Sequence, residues 1–200
     1  HNSSPGSVAL LSGSQSYDVD LNLTTPDVTL TGGTSSYAFG YASSAGDINA
    51  DGIADLIVSE NINADGVVHV LYGPVSVSGV GAALADVSLA GSTGATAGRE
   101  LTVAGDLDGD GYLDMAIGAE YDSNGYTNGG TVYVLSGTEV SKKSGTHDLE
   151  TASVTRIRGT AESATAGKVV GTPGDVDGDG LDDLAMASPY LYVPQKISFY

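Results

Sequence analysis

The feature that most constrains this chain is a short aspartate-rich segment that occurs three times in one register. Gly46-Asp47-Ile48-Asn49-Ala50-Asp51-Gly52-Ile53-Ala54-Asp55 runs into Leu56-Ile57-Val58. Gly105-Asp106-Leu107-Asp108-Gly109-Asp110-Gly111-Tyr112-Leu113-Asp114 runs into Met115-Ala116-Ile117. Gly174-Asp175-Val176-Asp177-Gly178-Asp179-Gly180-Leu181-Asp182-Asp183 runs into Leu184-Ala185-Met186. A segment kept three times with the same residue types at the same offsets marks a repeated structural unit.

The flanks repeat with it. Phe39-Gly40, Ala97-Gly98 and Ala166-Gly167 each precede a loop by a few residues. Downstream, Gly66-Val67-Val68-His69-Val70-Leu71-Tyr72-Gly73 and Gly130-Thr131-Val132-Tyr133-Val134-Leu135-Ser136-Gly137 read as strands between glycines. Lys196-Ile197-Ser198-Phe199-Tyr200 follows the third loop, and Gly6-Ser7-Val8-Ala9-Leu10-Leu11-Ser12-Gly13 is a fourth such strand with no loop of its own. No stretch sustains a helical apolar period. The repeat spacing fits a four-stranded propeller blade with its loops. The predicted fold is therefore all-β, with about three blades of four antiparallel strands and one extra N-terminal strand. The expected organisation is 1–24 as a strand segment of a preceding or neighbouring blade, then repeats at 25–80, 81–140 and 141–200.

Each loop puts oxygen-bearing side chains at its first, third, fifth and ninth positions: Asp47, Asn49, Asp51 and Asp55; Asp106, Asp108, Asp110 and Asp114; Asp175, Asp177, Asp179 and Asp183. Glycine at the sixth position permits a sharp reversal, after which the backbone carbonyl of the seventh, Ile53, Tyr112 or Leu181, can face the same centre. A set of oxygens without His or Cys suits a hard cation, and carboxylates on a flexible loop suit calcium better than magnesium. Three Ca²⁺ ions are expected. They are not in EF-hands, which need helices on both sides and a Glu at the twelfth position. Val58, Ile117 and Met186 stand there instead.

Charge points the same way. There are 25 Asp and Glu against 7 Lys and Arg, for a formal net charge of −18. Nucleic acid is excluded as a partner, because phosphate binding needs clustered cations. Membrane insertion is excluded too, since no apolar run is long enough to span. With no cysteine, there are no disulfides, thiolate metal sites or thiol nucleophiles. His1, His69 and His147 show no spacing to Ser or Asp that suggests catalysis. No enzyme is expected.

The three units resemble FG-GAP repeats, which build the propeller of integrin α subunits and occur in many bacterial surface proteins. Phe39-Gly40 matches the first element and Gly118-Ala119-Glu120 approximates the second, while Ala187-Ser188-Pro189 keeps its proline. Copies two and three carry Ala-Gly in place of Phe-Gly, and Val58-Ser59-Glu60 keeps neither Gly nor Pro. The resemblance implies antiparallel blades with calcium bound between two strands, and an extracellular or cell-surface adhesion role. The alternatives are a carbohydrate-binding propeller and an accessory domain of a larger secreted hydrolase. Asn2 and Asn22 fit glycosylation sequons. Three blades with open flanks imply partners in further blades of a longer chain or in other copies of the same chain. In the second case the N-terminal strand would add to a neighbour's sheet edge, giving a ring or filament. An extracellular protein or glycan ligand is the remaining partner class.

Overall fold

The computed structural model describes residues 5–11, 13, 26–33, 38–60 and 65–190. The sequons at Asn2 and Asn22 and the strand at 196–200 lie outside the described residues. In chain order the elements are β1 (Ser7–Leu10), β2 (Val28–Thr31), β3 (Ser43–Gly46), β4 (Asp55–Glu60), β5 (Val67–Leu71), β6 (Gly79–Val80), α1 (Gly81–Leu84), β7 (Val87–Ala90), β8 (Glu100–Gly105), β9 (Asp114–Ala119), β10 (Thr131–Leu135), α2 (Gly137–Ser141), β11 (Gly145–Asp148), α3 (Leu149–Ala152), β12 (Thr155–Arg158), β13 (Val169–Gly174) and β14 (Asp183–Ala187). The fold is all-β, and its helices are single turns.

Among the described residues four sheets follow one another: β1-β2-β6, then β3-β4-β5-β7 with β11 added outside β7, then β8-β9-β10-β12, then β13-β14. The second and third contain the four-stranded antiparallel blade that the repeat implied. β1 pairs antiparallel with β2 of the same chain, Val8 opposite Leu30. β6 and β11 were not expected. Each is a short strand from the connection after one blade's third strand, and each lies parallel to the last strand of the preceding sheet. The edges of β2 and β7 are thereby covered, which removes an open template for foreign strands.

β4 and β9 are buried along their whole length, because they are central strands with a sheet packed on each face. This is why Leu56-Ile57-Val58 and Met115-Ala116-Ile117 read as continuous apolar runs. The two faces still feed different cores. Leu56 and Val58 join Phe39, Leu30 and Leu71 against the first sheet. Ile57 joins Val68, Val70, Met115, Ile117, Tyr133 and Leu135 between the second and third. Val132 and Val134 face Val170 and Leu184 of the fourth.

The blades also interlock through main chain. The Phe39 N–H donates to the Pro5 carbonyl, Ala97 N–H to that of Asp65 and Ala166 N–H to that of Gly129, at 2.9–3.2 Å. The glycine opening each third strand is needed for this approach. A Cβ on Gly6, Gly66 or Gly130 would collide with the backbone of Phe39, Ala97 or Ala166.

Candidate metal centres

Each aspartate-rich loop is the hairpin between a blade's first two strands: 47–54 joins β3 to β4, 106–113 joins β8 to β9, and 175–182 joins β13 to β14. The sixth-position glycines Gly52, Gly111 and Gly180 take φ of +88°, +87° and +95°, the reversal that disfavours a Cβ. In the second loop, carboxylate oxygens of Asp106, Asp108 and Asp114 lie within 4.8 Å of one another. In the third, those of Asp175, Asp177 and Asp183 do the same.

Local hydrogen bonds curl each loop. The first aspartate accepts from the fifth and sixth N–H groups: Asp47 from Asp51 and Gly52, Asp106 from Asp110 and Gly111, Asp175 from Asp179 and Gly180, at 2.9–3.2 Å. The fifth accepts from the seventh N–H at 2.8–2.9 Å, which orients Ile53, Tyr112 and Leu181. The first loop differs, since Asn49 supplies an amide that donates from Nδ2 to Asp51 Oδ2 at 3.0 Å.

The ninth aspartates are buried and work as anchors. Oδ2 of Asp55, Asp114 and Asp183 accepts from the second-position N–H of Ile48, Leu107 and Val176. Oδ1 of Asp55 and Asp114 accepts from Gly73 and Gly137, just beyond the third strand, at 2.9 and 3.0 Å. Burial pushes the Asp114 carboxyl up to about 6. The N–H groups of Gly137 and Leu107 oppose that rise, and Asp108 and Asp110 add repulsion to it. Asp55 is raised chiefly by burial as well. Asp110 is held below the usual carboxylate range by the Thr138 hydroxyl and Tyr112 N–H. Convergent, partly desolvated carboxylates of one sign are stabilised by a cation, so the donor set fits a hard divalent ion.

Comparison with known proteins agrees with this geometry. The FG-GAP repeat model matches residues 39–71, 97–135 and 169–196. The chain belongs to the FG-GAP repeat family. It is 32% identical over 163 residues to integrin alpha-PS5 of Drosophila melanogaster, covering 77% of this chain and 16% of that protein. Against integrin alpha-7 of Rattus norvegicus it is 29% identical over 186 residues, 86% of this chain and 15% of the relative. The human integrin alpha-7 is 34% identical over 103 residues, 50% of this chain and 9% of the relative. The chain thus spans about a sixth of the length of the first two.

The FG-GAP blades also hold polar groups that sequence spacing did not reveal. Across β4, β5 and β7, His69 Nε2 lies 3.0 Å from Glu60 Oε2, and His69 Nδ1 lies 2.9 Å from Ser88 Oγ. Glu60 is 1% and His69 3% exposed, which leaves no room for a substrate at the pair. His69 instead packs near Phe39, their ring centroids 6.2 Å apart. The matching position of the next blade is Tyr133, whose hydroxyl donates to Asp122 at 2.7 Å. Thr138 was missed because it joins the second loop from beyond β10. Its only sequence signal is the glycine that closes each third strand.

Proposed function

We propose that this chain is a calcium-stabilised module of an extracellular, adhesion-type FG-GAP propeller, with one Ca²⁺ in each loop. The observation that carries the reading is the convergence of Asp106, Asp108 and Asp114, and again of Asp175, Asp177 and Asp183, on an oxygen-only donor set. The residues that would hold the ions are those at the first, third, fifth and ninth positions with the seventh carbonyl. A bound ion would neutralise the loop. The chain's own residues supply the cage, tie it to the third strand through Gly73 and Gly137, and shield it on the buried side. The integrin α relatives support an adhesion role at the cell surface. No helix among the described residues is long and apolar enough to cross a membrane. Further blades or other copies of the chain remain the partners we propose.

Sites of this type suit the extracellular range, roughly 10⁻⁴–10⁻³ M. At about 2 mM calcium, three such sites would add roughly 2–5 kcal/mol by mass action, a rise in Tm on the order of 5–20 °C. Thermal melts in calcium and in EGTA test this, and coincident melts overturn it.

One observation favours glycan binding as a second reading. The end of the sheets remote from the loops exposes Tyr41, Tyr121 and Tyr190. Arg99 lies over Tyr41 and Tyr121, and Lys168 over Tyr190. Aromatic faces beside hydrogen-bonding cations suit sugar rings. A glycan array on the calcium-loaded protein would show selective binding under this reading and none under the first.

A further inference from the structure

The glycine just before each of the first two loops, Gly46 and Gly105, forms a socket for the next blade. A Cβ on Gly46 would meet Val103 and Leu113, at 2.9 and 3.1 Å. A Cβ on Gly105 would strike the Asp182 carboxylate. Leu113 and Asp182 occupy the same position, the eighth, of their own loops. The two interfaces therefore use one plug-and-socket geometry with different chemistry. Leu113 is apolar, and among the described residues it makes no hydrogen bond to Asp47. Asp182 accepts from the Asp106 N–H at 3.0 Å and donates its own N–H to the Asp106 carbonyl at 3.2 Å. The neighbouring Leu181 lies against Gly109 of the second loop.

We propose that Asp182 couples cation binding in the third loop to cation binding in the second, leaving the first loop outside the coupled pair. The inference rests on the reading of the loops as calcium sites. Asp182 directly precedes Asp183, whose carboxylate converges with Asp175 and Asp177. Without a cation those charges repel and the loop opens more often, taking Asp182 away from Asp106. A cation in the third loop holds Asp183 and therefore Asp182, which fixes the main chain of the second loop's first ligand. The second ion then binds a loop already ordered. Linkage makes the effect reciprocal. Asp182 is a positioning residue here, since it acts through Asp106.

Tyrosine-sensitised Tb³⁺ emission tests the coupling at the second loop when all proteins carry Tyr72→Phe, since Tyr72 lies close to Asp55 of the first loop. Tb³⁺ is an oxygen-seeking stand-in for calcium, and Tyr112 sits at the seventh position of the second loop, where the others carry Ile53 and Leu181. Asp179→Ala, which removes a third-loop ligand, is expected to raise the half-saturation point of Tyr112-sensitised emission about 5-fold or more, within the usual range of coupling. Asp182→Ala should raise it similarly, although it removes no ligand, and the two together should add little beyond either. Asp182→Asn keeps an oxygen that accepts from the Asp106 N–H and should restore most of the wild-type value. Asp51→Ala, in the first loop, should leave this half-saturation point in place. An Asp182→Ala protein that saturates within about twofold of wild type overturns the coupling alone. Wild-type protein with neither emission nor a calcium-dependent melt overturns the calcium reading and the coupling with it.

Discussion

Replacing Asp114 with Asn should lower stability in calcium but leave it equal or raised without calcium. Asp114 is 2% exposed, and in the metal-free protein its carboxyl sits at about 6 against an ordinary 3.8. Ionising it in the folded state at pH 7 therefore costs about 3 kcal/mol. Asn removes that cost and keeps one oxygen acceptor. Its amide group then faces one of the two donors, Leu107 or Gly137 N–H, and the lost bond costs about 1–3 kcal/mol. The metal-free variant should thus match wild type or exceed it by up to about 2 kcal/mol. In calcium it loses a charged ligand and should melt lower. The sign in pH follows. The folded chain holds this proton more tightly than the unfolded chain, so between about pH 4 and 6 metal-free wild type loses stability as pH rises. The variant lacks that slope. Calorimetric melts in EGTA and in calcium, across pH 4.5–7.5, make the comparison. A variant destabilised equally in EGTA and calcium would refute the reasoning.

Ala50 takes φ of +57°, where the other loops have Gly109 and Gly178 at +76° and +82°. Ala50→Gly should therefore stabilise by about 0.5–1 kcal/mol, net of the added freedom of the unfolded chain, as read from denaturant midpoints. Gly130→Ala drives a Cβ into the main chain of Ala166 and should cost more than about 4 kcal/mol. A near-normal urea midpoint would contradict the proposed contact between blades. Among the described residues, His69→Leu leaves the buried Glu60 carboxylate without a hydrogen-bond partner, since Oε1 already has none there. It should cost about 3–5 kcal/mol, most of which Glu60→Leu with His69→Leu recovers.

The blades were legible because their period is carried by residues with few alternative uses. Aspartates at fixed odd positions, a glycine at the sixth, and apolar runs such as Met115-Ala116-Ile117 each state a local requirement. The anchoring of Asp55 and Asp114 was not legible, because Gly73 and Gly137 are brought to them only when the third strand pairs. β6 and β11 escaped notice for a related reason. Gly79-Val80 and Gly145–Asp148 have no strand pattern of their own and become strands by lying along a finished edge. The strained fourth position of the first loop was visible in principle, since Gly109 and Gly178 stand where Ala50 does. The Glu60, His69 and Ser88 alignment depends on register across three strands, which spacing along the chain does not encode.

The two recurrent motifs hold opposite ends of the same strand pair. β4 runs six residues from Asp55 at the loop to Glu60, about 20 Å. At its loop end the hairpin is fixed by Asp55, bonded to Ile48 and Gly73. At its other end Ser59 accepts from the Gly40 N–H of the Phe-Gly element, and Glu60 holds His69 beside Phe39. The Asp55 anchor at one end and a close backbone approach at the other therefore clamp one hairpin against two neighbours. Loosening either end frees the hairpin as a unit, because strands packed on both faces cannot adjust residue by residue. That is the physical reason for the loop and the Phe-Gly element to repeat together: each supplies the end of the hairpin that the other cannot reach.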